Sequence, residues 1–217
     1  MFEGDTRTPT PRAPLYPLHG LIPALLSDAA ARHQAHDAGL ARGPQTGVHS
    51  LDTLLGGALE PGLHILHGSP GCGKSALALS IAADCGCPAL FVSAELSALE
   101  VLRRLIARTT GWYLGRLKTG ELPPDEVATL ATCTADTLPL LGLLDATRHP
   151  APTVHLADAL AALRDAPHAE NAPAPGALLV VDSAHTWSAH LWPELEEYQR
   201  LARALSELEL LAQTLSV

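Results

Sequence analysis

Apolar residues change their spacing along this chain in a regular way, and the spacing predicts the elements. From Leu21 to Leu40, the residues Leu21, Ile22, Leu25, Leu26 and Ala29 recur three and four apart, the period of one helix face. The stretch ARGPQTG breaks that helix. GLHILHG, residues 62–68, is a short apolar run that reads as a strand, followed by a helix over Lys74–Ala83. CGCP turns the chain into a second strand at Ala89–Ser93. Ser97 and Glu100 have the spacing of a capping box, which predicts a helix opening there with Val101, Leu102, Leu105 and Ile106 on one side. Helices over Pro124–Ala135 and Thr153–Leu163 bracket a strand at Leu138–Leu144. APHAENAPAPG is loop by composition, and ALLVVDS, residues 177–183, is the fourth strand. Strands and helices that alternate in this way predict an α/β fold, a mostly parallel sheet with helices on its faces.

The last predicted element begins at Pro193, with Tyr198, Leu201, Leu205, Leu208, Ala212 and Leu215 at alternating three and four. A helix covering the sheet is the expected reading, and a short coiled-coil seam is the alternative. The chain stops at Val217, where an α/β pattern would start another strand. Residues 1–17 read as a disordered leader. The helix at 21–40 lies outside the α/β pattern, so its apolar stripe must cover either its own domain or a neighbouring subunit.

Composition narrows the class. A chain of 217 residues with 47% hydrophobic content fits one globular domain with a buried core. No apolar run reaches the roughly 18 residues a membrane span needs, and the polar, proline-rich start has no signal-peptide centre. A cytoplasmic location without a membrane partner is the expectation. Cys72, Cys85, Cys87 and Cys133 match no zinc-ligand spacing and read as reduced thiols; His33 and His36 read as surface histidines. The formal charge is −9, there are two lysines, Lys74 and Lys118, and no Lys or Arg occurs between Asp165 and Gln199. That balance leans against a broad nucleic-acid face, so any such contact must be local or assembled from several copies.

The chemistry lies in GSPGCGKS. Gly68, Ser69, Pro70, Gly71, Cys72, Gly73, Lys74, Ser75 and Ala76 form a G-x-x-x-x-G-K-S loop between a predicted strand and a predicted helix, the context this phosphate-binding motif requires. Gly68, Gly71 and Gly73 let backbone N–H groups converge on phosphate oxygens, and the helix N-terminus adds a positive field. Lys74 can reach the outer phosphates and the Ser75 hydroxyl can bind Mg²⁺. Asp182 ends the strand LLVVD at the edge where open sheets hold ligands, and can orient Mg²⁺ through water. Glu95, just past the second strand, can polarise a water for attack on a γ-phosphate. His185, three residues beyond Asp182, can sense that phosphate by hydrogen bond. ATP and Mg²⁺ are the expected ligands.

Around these residues the chain resembles RecA-like ATPases, the DnaB-like replicative helicases in particular. TGVHSLDTLLGGALEPG resembles that family's lead-in, FVSAELSALEVLRRLIA its second-strand block, and LGRLKTGELPPDE its R-[TS]-G segment. LPLLGLLDATRHPAPTVHLADALAAL is similar to its D-x-T motif and following helix, and LLVVDSAHTWSA stands where its second ATP-site strand ends. The resemblance implies a RecA-like domain over residues 45–217, a linker helix over 18–44 that docks on a neighbouring subunit, and an ATP-driven homo-oligomeric ring, a hexamer, on single-stranded DNA. It implies roles for Lys74 and Ser75 at phosphate and metal, Glu95 at water and Asp182 at Mg²⁺, with His185 in place of a phosphate-sensing glutamine. SAHLWPELEE carries no lysine or arginine where the family has a DNA-contacting loop, and the family's amino-terminal helical domain is not in this sequence. The resemblance also implies that Val217 falls before the strand and arginine finger that complete a neighbour's site. This chain is therefore expected to bind nucleotide and turn it over slowly. A RecA-like repair or regulatory ATPase, or a nucleotide-binding module with little turnover, is the alternative.

Overall fold

The computed structural model describes residues 15–167, 172, 174–215 and 217. The expected leader lies mostly outside these residues, as does part of the loop APHAENAPAPG. The chain divides into two compact units, residues 1–40 and 41–217. In the first, α1 (Leu18–Asp37) begins three residues earlier than the apolar stripe suggested and buries none of its side chains. Pro17 sets the start by standing extended at the N-cap, and Gly39, in the left-handed region at φ 63°, ends the helical path before Leu40.

Among the described residues the second unit is built on three parallel strands, β1 (Ala89–Ser93), β2 (Leu141–Asp145) and β3 (Leu178–Asp182), in the order β2-β1-β3. β2 begins at Leu141 rather than Leu138, because Leu138 still belongs to the end of the preceding helix through its amide bonds to Thr134 and Ala135. In the register, Ser93 stands level with Asp145 on one side and with Asp182 on the other. Three polar side chains therefore meet at the carboxyl edge of an otherwise apolar sheet.

Side chains alternate across the sheet with the strand period of two. Ala89 and Phe91 face α3 (Lys74–Asp84) and α4 (Ala98–Thr110), packing with Leu79, Ala82, Val101 and Leu105. Leu90 and Val92 face the opposite layer, α7 (Thr153–Arg164), α8 (Ala184–Leu191) and α9 (Glu197–Leu215), through Leu156, Leu160, Trp187, Ala204 and Leu208. Burial on both faces is the reason β1 reads as a continuous apolar run rather than an alternating one; β2 and β3, at the edges, are half-buried. α9 packs on α7 and α8 in this layer: Ala204, Leu208 and Ala212 are buried, whereas Tyr198 is 83% exposed. The short helices α2 (His49–Leu54) and α5 (Leu114–Thr119) and the helix α6 (Pro124–Thr137) complete the unit.

Two expectations are corrected. Residues 62–68 form no strand. The apolar side chains are present, but strand formation needs a hydrogen-bonded partner, and among the described residues β3 pairs with β1 alone. An open cavity of about 510 Å³ lies beside β3, lined by Leu63, Ile65 and Leu66 on one side and Leu178, Val180 and Leu208 on others. Ile65 is accordingly 67% exposed. The capping box is only half formed as well. Ser97 Oγ accepts the Glu100 amide at 3.3 Å, but the Glu100 carboxylate goes to Lys118 at 2.6 Å and Arg104 at 3.4 Å. A cation within reach is worth more to a carboxylate than one backbone N–H. The Lys118 ammonium holds the Glu100 carboxyl below its usual range. Among the described residues no helix is long and apolar enough to cross a membrane.

Candidate nucleotide site

The phosphate loop runs from Gly68 into the first turn of α3. Gly71 at φ 75° and Gly73 at φ 95° occupy the left-handed region, where a side chain would be strained. A Cβ added at either would meet no atom within 4 Å, so the loop leaves a clear space in front of the helix N-terminus. Gly73 is itself the N-cap of α3 and offers no side chain to the first-turn amides. Those donors are therefore left to an anion, the arrangement that favours phosphate. The Lys74 ammonium donates to the Gly68 and Ser69 carbonyls, each at 2.9 Å. It is held over the loop where outer phosphates would lie.

The lead-in motif packs at the far, carboxyl end of α3, where the Gln45 amide donates to the Cys85 carbonyl at 3.1 Å. Thr46, 2% exposed, donates through its hydroxyl and its amide to Asp52 Oδ1, both at 2.7 Å. Gly47 passes so close to α3 that a Cβ there would sit 2.8 Å from the Asp84 Cβ.

β3 delivers Asp182 to the same place. Ser75 Oγ donates to Asp182 Oδ1 at 3.0 Å, across 107 residues of sequence. Asp182 is 9% exposed, and its Oδ2 is buried without a hydrogen-bond partner. Burial pushes the Asp182 carboxyl above its ordinary range, partly offset by the Ser75 hydroxyl and reinforced by the Glu95 charge. An orphaned buried carboxylate oxygen beside a serine hydroxyl suits a hard cation such as Mg²⁺. No group of three or more His, Cys, Asp or Glu side chains capable of holding a metal occurs among the described residues.

Glu95 follows β1 and stands at the surface. Its Oε1 accepts the Ser183 hydroxyl at 2.6 Å and the Thr186 hydroxyl at 3.0 Å. Ser183 also caps α8 by accepting the Thr186 amide at 3.3 Å. His185 is on α8, but its Nδ1 stands 3.8 Å from Glu197 Oε1, away from the cluster. The structure thus brings together Lys74, Ser75, Asp182 and Glu95 at one sheet edge and leaves His185 beside α9.

Sequence reasoning misses two contributors. Ser183 and Thr186 follow Asp182, and the signal for them is the hydroxyl-rich run DSAHT. Asp145 of the D-x-T motif has a structural task. Its Oδ2 accepts the Ala98 amide at 2.9 Å, and its Oδ1 takes the Thr147 amide at 3.0 Å and hydroxyl at 2.5 Å. These donors hold its carboxyl below the ordinary range and tie β2 to the start of α4.

A parallel sheet, a glycine loop on a helix N-terminus and two carboxylates at the strand ends define a P-loop nucleotide-binding domain of RecA-like fold. A solved structure described as an ATPase domain shares that fold: the match covers 91% of this chain and 68% of that one, with a TM-score of 0.70 and 15% identity. The family model for the DnaB-like helicase C terminal domain matches residues 43–172, and the chain belongs to that family. The replicative DNA helicase DnaB of Treponema pallidum is 34% identical over 111 residues, 48% of this chain and 24% of that protein. The DNA repair protein RadA of Mycolicibacterium smegmatis is 46% identical over 79 residues, 35% of this chain and 16% of that protein. The chain spans less than a quarter of these two curated relatives.

Proposed function

We propose that this chain is the ATP-binding and ATP-hydrolysing core of a DnaB-type DNA helicase, coupling hydrolysis to movement on single-stranded DNA as part of a homo-hexameric ring in the cytoplasm. The observation that carries the reading is the Ser75–Asp182 hydrogen bond. It joins the phosphate loop to the end of β3, where an unpartnered carboxylate oxygen stands beside the helix N-terminus. In this reading the backbone of Gly71–Gly73 and the α3 N-terminus bind the phosphates, and Lys74 moves from the loop carbonyls to the outer phosphate oxygens. Ser75 and Asp182 hold Mg²⁺, which when bound neutralises charge on the phosphates. Glu95 orients the attacking water and accepts its proton, and His185 acts as the phosphate sensor once its side chain has left Glu197, 3.8 Å away.

A second reading, a RecA-like DNA-repair ATPase that cycles ATP without unwinding, draws on the higher local identity to RadA and on the formal charge of −9. ATP turnover with and without single-stranded DNA, together with strand separation, distinguishes the two. For the helicase, DNA raises turnover and strands separate. For the repair ATPase, turnover occurs without strand separation. Glu95→Gln is expected to lower kcat by about a hundredfold or more while ATP still binds, and Lys74→Ala to abolish tight binding. Wild-type turnover that survives in Glu95→Gln would refute the assignment of the water-activating group.

A further inference from the structure

Glu95 has an exposed, three-torsion side chain at the end of a strand, and nothing in its own loop fixes where its carboxylate points. We propose that Ser183 and Thr186 are positioning residues for Glu95. Their hydroxyls hold Oε1, so that Oε2 is presented to the attacking water. The proposal rests on the hydrolase reading above and deepens it.

The two donors come from an element whose orientation the core fixes. Trp187, the next residue on α8, is fully buried, and its indole N–H donates to the Ala151 carbonyl at 2.8 Å. With Trp187 locked in that socket, the backbone of the preceding Thr186 is held in place beside Glu95. The Thr186 hydroxyl takes a different kind of partner from those of several mid-helix threonines. Thr110, Thr134 and Thr214 each donate to the carbonyl four residues back, the common local bond for the residue type. For Thr186 that carbonyl belongs to Asp182 and already accepts the Ala94 amide at 2.8 Å. The Thr186 hydroxyl goes instead to Glu95, 91 residues away in sequence. Ser183 reaches the same oxygen while its backbone follows directly from the metal-side Asp182. Both carboxylates of the site are therefore indexed to one five-residue stretch, 182–186.

In hydrolysis the water oxygen forms the new bond to the γ-phosphorus, and the bond from that phosphorus to the ADP oxygen breaks. The proton lost by the water goes to the carboxylate of Glu95. An oxygen already accepting two O–H donors is a poor acceptor for that proton, which leaves Oε2 as the proton-accepting atom. Holding Oε1 therefore selects both the orientation and the reacting atom, and misplacement of such a group is costly to kcat rather than to binding.

Thr186→Val removes one donor and leaves the Thr186 amide, and so the Ser183 cap, in place. The test compares wild type, Thr186→Val, Thr186→Ser, Glu95→Gln and the double variant Thr186→Val/Glu95→Gln. It measures kcat, KM for ATP, and affinities for ADP and for ADP with aluminium fluoride, which mimics the phosphate under attack. Thr186→Val is expected to lower kcat about tenfold and to weaken the aluminium fluoride complex by a similar factor, with ADP affinity held within about twofold. Thr186→Ser should restore turnover, and in the Glu95→Gln background the Val substitution should cost nothing more. Wild-type kcat in Thr186→Val, or a loss that adds in full to that of Glu95→Gln, overturns the clamp alone. A wild-type chain that turns over no ATP overturns the hydrolase reading and the clamp with it.

Discussion

Asp182 shows most plainly how a single side chain here is placed for a ligand at a cost to the fold. One of its oxygens is satisfied by Ser75 and the other is buried with no partner, and burial raises its pKa. A carboxyl whose pKa rises on folding contributes stability below its unfolded value, near 3.9, and loses that contribution as pH increases through the folded value. At neutral pH the ionised group therefore burdens the unliganded protein. Asp182→Asn should raise the melting temperature of the nucleotide-free chain at pH 7 by about 2–4 °C, corresponding to roughly 1 kcal/mol. The gain should shrink as pH falls through the raised folded value and be gone below the ordinary aspartate range, and Mg²⁺-dependent ATP affinity should drop. Calorimetry across pH, with and without Mg²⁺-ATP, measures both. Of the residues in this cluster, Lys74, Ser75, Asp182 and Glu95 were legible in the sequence because their motifs have fixed spacing. Thr186 was not, because its significance depends on a partner 91 residues away.

Among the elements, α4 is held by contacts that local sequence only half describes. Ser97 supplies the near cap, whereas Asp145 crosses from the end of β2 to accept the Ala98 amide. Losing a helix N-cap acceptor costs about 1 kcal/mol. Asp145→Ala should therefore lower the urea midpoint at pH 7 with little change in the slope of the transition. Because Thr147 and Ala98 depress the Asp145 pKa, the contribution is present above the ordinary aspartate range and is lost as pH falls through the folded value. Wild type and Asp145→Ala should thus converge at low pH. The D-x-T spacing marked Asp145 and Thr147, but the amide they serve became visible only with β2 and α4 side by side. Residues 62–68 teach the reverse lesson: the apolar pattern was that of a strand, yet no ladder with β3 forms.

Over the whole molecule, stability of residues 41–217 rests on a sheet buried on both faces. Leu156 and Leu160 are fully buried under one face, and Phe91 is 2% exposed under the other. Leu156→Ala removes packing from the layer that also holds Trp187 and is expected to cost about 2–5 kcal/mol. A fall of about 5–15 °C in melting temperature would measure it. A shift under about 2 °C would show that this layer contributes little to the cooperative unit.

By itself the sequence determined the order of most strands and helices, the glycine loop and the chemical identity of the candidate site residues. Those depend on short-range periodicity, backbone freedom and functional groups that every residue carries with it. Only the tertiary structure decided which carboxylate oxygen stays unpartnered, which hydroxyls hold Glu95, that Glu100 pairs with Lys118, and that residues 62–68 lie apart from β3. Each of these is a pairing between segments distant along the chain, and a hydrogen bond or ladder forms only when folding brings a partner within about 3 Å.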